Sequence, residues 1–476
     1  MITLIQINYS EDHSEKILPL GILSVGSALK KKGYDVQLIN INERQINSTA
    51  EKIAAMKPDF IGISVMTGIQ TQHSAEFSKK IKQLGNIPIV WGGIHPTLLP
   101  DQCIKEEYID YVIYGEGEIT TLEFAEKFYK DKNFSGILGL IYKKDGKIIT
   151  NSERPLIENL DAWRLDFSLI DMNQFIFPLS KYKRVIAYKS SRGCPFGCAF
   201  CYNFKFNKSR WRVWSEDAVM EDINFLKEKY KIDAIKFYDD NFFVDKERAL
   251  SLLSKINLPC HLEIRIDFID DELVAKLKNF NIFDMLIGLE SGSERMLQLI
   301  DKRFTVERLL QGVRSIAKYG LHATYSFIVG LPSETEKDFN ETISVMNQVY
   351  KIHPQAGFTV GAYLPYPGSK LYDFSLMQGF VPPQRTEDWG KIDRFRKDFN
   401  SPWVNVRKVW VIRECFKILS WDLKILKKWF EFRISHNFYS FPIDIYVVEF
   451  LAGIAIEEKW FVGKLMRRLY NKLRNR

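Results

Sequence analysis

Residues 1 to about 150 alternate short apolar runs with longer stretches whose apolar residues recur at helical spacing. The apolar runs at 2–7, 36–39, 60–64, 87–91 and 111–114 predict strands, and the amphipathic stretches 20–32 and 71–83 predict helices between them. Such alternation builds an α/β domain, a parallel sheet with helices on both faces. Residues 137–143 and 147–151 flank Lys144-Asp145-Gly146 and predict a hairpin. Residues 151–183 carry little periodicity and read as a connector. From 184 the strand–helix alternation resumes, with strands predicted at 185–188, 234–238, 262–266, 285–289, 323–328 and 357–362. Six units are too few for a closed eight-stranded barrel, so residues 184–384 predict a partial, open (β/α)6 barrel. Residues 385–476 read as a Trp- and Lys-rich helical C-terminal region.

Both sheets place candidate chemistry at strand ends. Ligands of open α/β sheets bind at the carboxyl ends of the strands, and barrels carry chemistry on the loops that follow them. Ser64-Val65-Met66-Thr67-Gly68, Gly92-Gly93-Ile94-His95-Pro96-Thr97 and Gly115-Glu116-Gly117-Glu118 lie at such ends in the first domain. Their glycines allow a ligand close to the backbone. In the barrel, the run after the first strand is Arg192-Gly193-Cys194-Pro195-Phe196-Gly197-Cys198-Ala199-Phe200-Cys201. Cys194, Cys198 and Cys201 follow the spacing C-x3-C-x2-C, with Phe200 just before the third cysteine. Three thiolates can hold three irons of a [4Fe–4S] cube and leave the fourth open to a substrate or cofactor. Structural zinc favours four closed ligands, and the next candidates, Cys260 and His261, stand some sixty residues away.

The later strand ends each admit two readings. Asp239 and Asp240 end the second barrel strand, where they could hold an amino group or cap the next helix. Glu263 and Arg265 share one face of the third strand by alternation, as ligand contacts or as a structural ion pair. Gly288-Leu289-Glu290-Ser291-Gly292-Ser293 and Phe327-Ile328-Val329-Gly330-Leu331-Pro332 end the fourth and fifth strands.

Taken together, these runs resemble the cobalamin-binding radical SAM superfamily. The likeness covers roughly residues 1–375. It includes Leu18-Pro19-Leu20-Gly21-Ile22-Leu23 near the start and Pro365-Tyr366-Pro367-Gly368-Ser369 after the barrel. The subfamily includes radical methyltransferases and the anaerobic Mg-protoporphyrin ester cyclase. The resemblance implies a Rossmann-like cobalamin-binding domain over 1–150 and a radical SAM barrel over 184–384. It implies a [4Fe–4S] cluster on Cys194, Cys198 and Cys201, and S-adenosylmethionine held by Phe200, Asp239, Asp240, Glu263, Arg265, Glu290 and Ser291. It implies cobalamin held by Ser64, Met66, Thr67, Gly92, Gly93, His95, Gly115, Glu116 and Gly117. Many cobalamin enzymes carry D-x-H-x-x-G with a cobalt-ligating histidine. Here the first strand runs into Tyr9-Ser10-Glu11-Asp12-His13-Ser14, which does not match, and His13 reads as a surface-loop residue. Cys103, Cys260 and Cys415 stand alone and read as small buried apolar residues, with Cys260 beside a barrel strand the one candidate for a catalytic thiol.

Charge changes the picture at one end only. The net charge is +8, and residues 403–476 alone hold 15 Lys and Arg against seven Asp and Glu, which accounts for all of it. A neutral body excludes a nucleic-acid-binding reading. Trp403, Trp410, Trp421, Trp429 and Trp460 lie in this region, and 421–430 and 460–476 read as basic amphipathic helices. Such helices suit a membrane surface or form a helical cap with a solvated basic face. No run of 18 apolar residues exists to span a bilayer, and no secretory signal stands at the start, so the expected location is cytoplasmic, with peripheral contact at the inner membrane face. The expected function is cleavage of S-adenosylmethionine to a 5′-deoxyadenosyl radical and methylation of an unactivated carbon through methylcobalamin. The alternatives are a radical SAM cyclase or carbon–carbon bond-forming enzyme, and a non-catalytic iron–sulfur or cobalamin sensor. The expected partners are a small-molecule or lipid substrate and an electron donor such as flavodoxin or ferredoxin.

Overall fold

The structure, a computed structural model, describes residues 1–8, 17–393, 403, 405–419, 424–436, 438–439 and 443–448. His13, Trp421, Trp460 and the basic stretch 460–476 lie outside them. The chain divides into two compact units, Met1–Glu263 with Pro365–Arg396, and Ile264–Leu364 with Lys397–Arg476.

The first unit opens with β1 (Ile2–Asn8), β2 (Val36–Asn42), β3 (Phe60–Ser64), β4 (Ile89–Gly92), β5 (Tyr111–Ile113), β6 (Leu140–Lys144) and β7 (Lys147–Thr150). They form one sheet in the order β2-β1-β3-β4-β5-β6-β7. β1 to β5 pair in parallel, and the β6–β7 hairpin joins β5 antiparallel. The alternation of the sequence sorts side chains into two cores. Ile5, Ile7, Ile61, Ile63, Ile89 and Trp91 pack on one face with Phe77 and Ile81 of helix Ile69–Leu84. Ile2, Leu4, Phe60, Val90 and Ile113 pack on the other with Leu29 of helix Leu20–Lys31 and Phe124 of helix Gly117–Lys130. Burying each such side chain is worth about 1.5–3 kcal/mol, so a one-residue register slip would forfeit both faces at once. The strand order reverses between β1 and β3, which puts a crevice at their carboxyl ends.

The same unit carries β8 (Phe177–Leu179), β9 (Tyr182–Tyr188), the short pair β10 (Ser191–Arg192) and β11 (Arg212–Val213), β12 (Ala234–Phe237) and β13 (Cys260–Arg265), whose last two residues belong to the second unit. β9, β12 and β13 are parallel, while β8 is an antiparallel edge strand in the region read as a connector. Residues 365–396 tie back to the first sheet. Asp393 accepts from the Ile69 N–H at 2.8 Å, and fully buried Trp389 donates through Nε1 to Gln102 at 2.8 Å. These ties explain why residues 385–393 group with the N-terminal sheet rather than with the helices that follow.

The second unit holds β14 (Ile282–Glu290), β15 (Thr324–Val329) and β16 (Gly357–Ala362), all parallel. β9 and β12 to β16 are the six parallel strands of the partial barrel. Helix Val406–Leu419 packs on β16 through Phe416 and Phe358, whose ring centroids are 4.8 Å apart. Helix Lys424–Ser435 follows, its buried Arg433 forked onto Asp444 at 2.7 and 2.8 Å. Among the described residues no helix is long and apolar enough to cross a membrane.

Phe124 makes edge-to-face contacts with Phe60 and Tyr111 at 5.1 and 4.8 Å and stacks on Phe134 at 5.1 Å. Phe124→Ala should destabilise the first sheet by roughly 3–5 kcal/mol. Urea denaturation followed by near-UV circular dichroism measures this.

Candidate active site

The cysteine loop leaves β9 through a hinge fixed by two neighbouring aspartates. Asp239, buried at the end of β12, accepts from the Ser190 N–H at 3.1 Å, from Ser190 Oγ at 2.9 Å and from Ser191 Oγ. Burial pushes its pKa up, and the two serines hold its charge in place. Asp240 accepts from the Gly193 N–H at 3.0 Å and from Lys189 Nζ at 3.2 Å. Gly193 has φ +82°, and a Cβ there would collide with the Arg210 carbonyl, so only glycine lets the chain turn into Cys194. The Cys201 N–H donates to the Cys198 carbonyl at 3.0 Å, and the Leu371 N–H donates to the Ala199 carbonyl at 2.8 Å.

Cys194 and Cys198 are buried, Cys201 and Phe200 are half-buried, and none of the three cysteines is in a disulfide. Burial pushes the Cys201 thiol up to about 12, with Asp240, Cys198 and Cys194 adding to the rise. The three sulfurs therefore feel one another, and together they could ionise only around positive charge. Among the described residues no three His, Cys, Asp or Glu side chains converge as ligands of one ion would. A cube binds each thiolate at a different corner, so its ligands surround a volume instead of a point. The donor set, its enclosure and its mutual repulsion fit an iron–sulfur cluster.

β12 and β13 aim further charge along the same face. Lys236 pairs in register with His261, two residues before Glu263. Burial raises Glu263 to about 7, against the lowering effect of Lys236 and Lys189. A cation placed beside Glu263 would draw it back toward the ionised form. Cys260 stands at the amino end of β13, remote in the strand from the loops that carry chemistry. Its buried thiol is pushed up to about 12 and donates to the Leu258 carbonyl at 3.3 Å, as a packed cysteine does.

In the second unit, Arg265 forks onto Asp267 at 3.0 and 2.9 Å. Glu290 adopts φ +66° and pairs with Lys302 Nζ at 2.9 Å, its carboxylate folded over Gly288 where a Cβ would collide with it. Ser291 is fully buried, 3.0 Å from Thr342 Oγ1, and Gly292 leaves room for Val345. Ser291 thus packs this loop on helix Glu336–Ile352. The partner Lys302 was not legible, because it lies twelve residues past the strand end with no motif of its own.

At the carboxyl edge of the first sheet, Ser64, Thr67, Gly92, Gly93, Gly115 and Gly117 are half-buried and Met66 is exposed. Gly93 has φ +98°, and a Cβ there would stand 3.0 Å from the Val65 backbone and 3.2 Å from Ser64 Oγ. Gly115, at φ +85°, has open space where its Cβ would be. A rim of small, accessible residues above a switch point fits the broad, flat face of a corrinoid. Amide side chains extend it: Asn8 Oδ1 accepts from Gln6 and Gln70 at 3.0 Å, and Asn8 Nδ2 donates to Asn40 at 2.9 Å. Their polarity in otherwise apolar strands is the signal that would have found them. His95 and Glu116 differ from the rest. His95 is fully buried, its Nδ1 3.1 Å from Thr67 Oγ1 and its Nε2 without a partner among the described residues; burial drives its pKa down to about 3, so the ring is neutral. Glu116 is buried beneath the rim with both oxygens in ion pairs, to Arg192 Nη1 and Arg212 Nη1, each at 2.8 Å.

Comparison with known proteins follows the same division. A radical SAM superfamily model matches residues 188–346, and a B12 binding domain model matches residues 14–125. An uncharacterized methyltransferase of Pyrococcus horikoshii is 31% identical over 394 residues, 80% of this chain and 83% of its own. The anaerobic magnesium-protoporphyrin IX monomethyl ester cyclase of Rubrivivax gelatinosus is 25% identical over 373 residues, 74% of this chain and 65% of its own. Among solved structures, the cobalamin-dependent S-adenosylmethionine radical enzyme OxsB with aqua-cobalamin bound shares the fold. Its TM-score is 0.70 at 16% identity, over 100% of this chain and 80% of that one.

The geometry at Gly193 makes a direct test of the cysteine loop. Gly193→Ala adds roughly 1–3 kcal/mol of backbone strain to a steric clash. After anaerobic reconstitution, iron per chain and the cluster's visible absorbance should fall to less than about half of wild type, while far-UV circular dichroism stays the same.

Proposed function

The chain belongs to the B12-binding radical SAM enzymes, and within that family we propose that it methylates an unactivated carbon of a small-molecule or lipid substrate. The observation that carries this reading is the joining of two cofactor-type elements within one compact unit, the three-thiol loop and the carboxyl edge of the B12-type sheet. The methyltransferase name of the Pyrococcus horikoshii relative supports methyl transfer, and the Rubrivivax gelatinosus relative keeps a cyclase as the second reading.

Cys194, Cys198 and Cys201 would hold the [4Fe–4S] cluster, and the rim Ser64, Met66, Thr67, Gly92, Gly93, Gly115 and Gly117 would hold cobalamin. When bound, these groups would supply reductive cleavage of S-adenosylmethionine to a 5′-deoxyadenosyl radical and carriage of a methyl group. Asp240 orients the turn into Cys194, and Asp239 holds the hinge beneath it. Glu263, near 7 while alone, would ionise beside the ammonium of S-adenosylmethionine and hold it. A flavodoxin- or ferredoxin-type protein would deliver the electron.

Anaerobically reconstituted protein given hydroxocobalamin, S-adenosylmethionine and a low-potential reductant tests the reading. Retained cobalamin after desalting, with both 5′-deoxyadenosine and S-adenosylhomocysteine, is the expected result. Deoxyadenosine without cobalamin or S-adenosylhomocysteine would replace methyl transfer with another radical reaction.

A lipid substrate is favoured by Trp429, Phe432, Ile443, Tyr446 and Val447, all more than two-fifths exposed in the region that carries the excess positive charge. Full-length protein should co-sediment with vesicles containing phosphatidylglycerol and lose this with added salt or in Trp429→Ala. Equal recovery in the supernatant with and without vesicles would remove the lipid reading.

A further inference from the structure

Four charged side chains, Glu116, Glu118 and Arg212 buried and Arg192 half-buried, lie between the cysteine loop and the rim of the first sheet. Arg192 stands two residues before Cys194, and Arg212 is its register partner across the β10–β11 ladder. Glu116 and Glu118 stand at the start of helix Gly117–Lys130, in the loop that contributes Gly115 to the rim. Arg192 Nη1 donates to Glu116 Oε1 at 2.8 Å, and Nη2 donates to Glu118 Oε1 at 2.6 Å and to Ser24 Oγ at 3.0 Å. Arg212 Nη1 donates to Glu116 Oε2 and to the Ile157 carbonyl, both at 2.8 Å. The Ile157 N–H donates to Glu116 Oε2 at 2.7 Å, and Ser24 Oγ donates to Glu118 at 2.6 Å. The Arg192 guanidinium lies over the Trp214 ring, 5.2 Å from its centroid.

Two cations meet two anions, and three of the four carboxylate oxygens accept from a guanidinium. Burial pushes the Glu118 carboxyl up, but Arg192 and Ser24 more than offset this and hold it below the ordinary range. A buried ion-pair network is a weak source of stability, because desolvation cancels most of the attraction. It is a strong source of position. A guanidinium fork fits two carboxylates in few orientations, and stacking fixes its plane. Arg192 joins the two elements that would hold the two cofactors.

We propose that Arg192, with Arg212, Glu116 and Glu118, is a positioning clamp that sets the cysteine loop at a fixed distance and angle from the corrinoid-holding rim, and so couples radical formation to methyl transfer. This rests on the reading of the chain as a cobalamin-dependent radical methyltransferase. The clamp touches no reacting atom and acts only through the loop and the rim.

The test has a cofactor-free and a loaded arm. In the cofactor-free protein, Arg192→Gln should speed amide hydrogen exchange in both 193–211 and 115–119. Arg210→Gln, which breaks a surface pair to Glu158 on the same loop, should speed it only near its own position. Exchange that rises in 193–211 but not in 115–119 for Arg192→Gln would overturn the clamp. In reconstituted protein, Arg192→Gln should keep wild-type iron and cobalamin while the ratio of S-adenosylhomocysteine to deoxyadenosine falls by about tenfold or more, the scale of loss expected from an ångström-sized misplacement. The enhancement of cob(II)alamin spin relaxation by the reduced cluster should weaken with it. Arg192→Lys, which keeps the charge without the fork, should recover only part of both. An unchanged ratio and unchanged relaxation at wild-type cofactor content would also overturn the clamp. If Arg192→Gln does not fold, the isosteric Glu118→Gln carries the same two readouts. Wild-type protein that retains no cobalamin would defeat the functional reading, and the exchange arm would still decide the clamp.

Discussion

Three thiols in one short loop repel one another as soon as they ionise, and the loop that carries them is anchored by charged side chains. The Cys201 thiol is already hard to deprotonate through burial and through its neighbours. The loop must therefore be held by groups that are not themselves thiols. Asp239 fixes the serine hinge before it, Asp240 fixes the turn at Gly193, and Arg192 fixes its flank. Each anchor is charged and at least partly buried, and each has its partner in a different segment. This makes the loop's position a property of the whole unit and not of its own twelve or so residues.

The same constraint explains a division of labour among the carboxylates. A buried carboxylate is costly unless hydrogen bonds and opposite charge surround it. Asp239, Glu116 and Glu118 have that surrounding from the protein itself. At Glu263 burial wins: it raises the carboxyl to about 7, with Lys236 and Lys189 offsetting only part of the rise.

Much of the fold was legible because each strand sorts its side chains with a period of two. Ile2 and Leu4 fall into one core and Ile5 and Ile7 into the other, and the five parallel strands repeat the division. The barrel strands were legible for the same reason. β8 was not, since Phe177–Leu179 is three residues long, too short for any alternation to register. The grouping of 385–393 with the first sheet was invisible because it depends on single long-range bonds such as Asp393 to Ile69. The C-x3-C-x2-C spacing stands in the sequence, and the structure places all three cysteines in the loop region after β9. The surroundings of Ser291 and Glu116 were not legible for one reason: a motif gives residue type and position along the chain but not the direction in which the side chain leaves the backbone. Glu290 at φ +66° turns its carboxylate back over Gly288, and no periodicity encodes that turn.

What the two glutamates of Gly115-Glu116-Gly117-Glu118 do follows from the glycines between them. Gly115 needs a positive φ and keeps its outer side open, whereas Gly117 is pressed so close to Val25 that a Cβ would stand 2.9 Å from it. The chain thus passes from an open rim to a tightly packed helix start within three residues. Across that step the glutamate side chains point down, into the protein, toward Arg192 and Arg212. The exposed backbone is left for a ligand and the buried carboxylates for the arginines. One four-residue run therefore serves both faces of the same loop, and a rigid connection to the cysteine loop costs the rim none of its accessible surface.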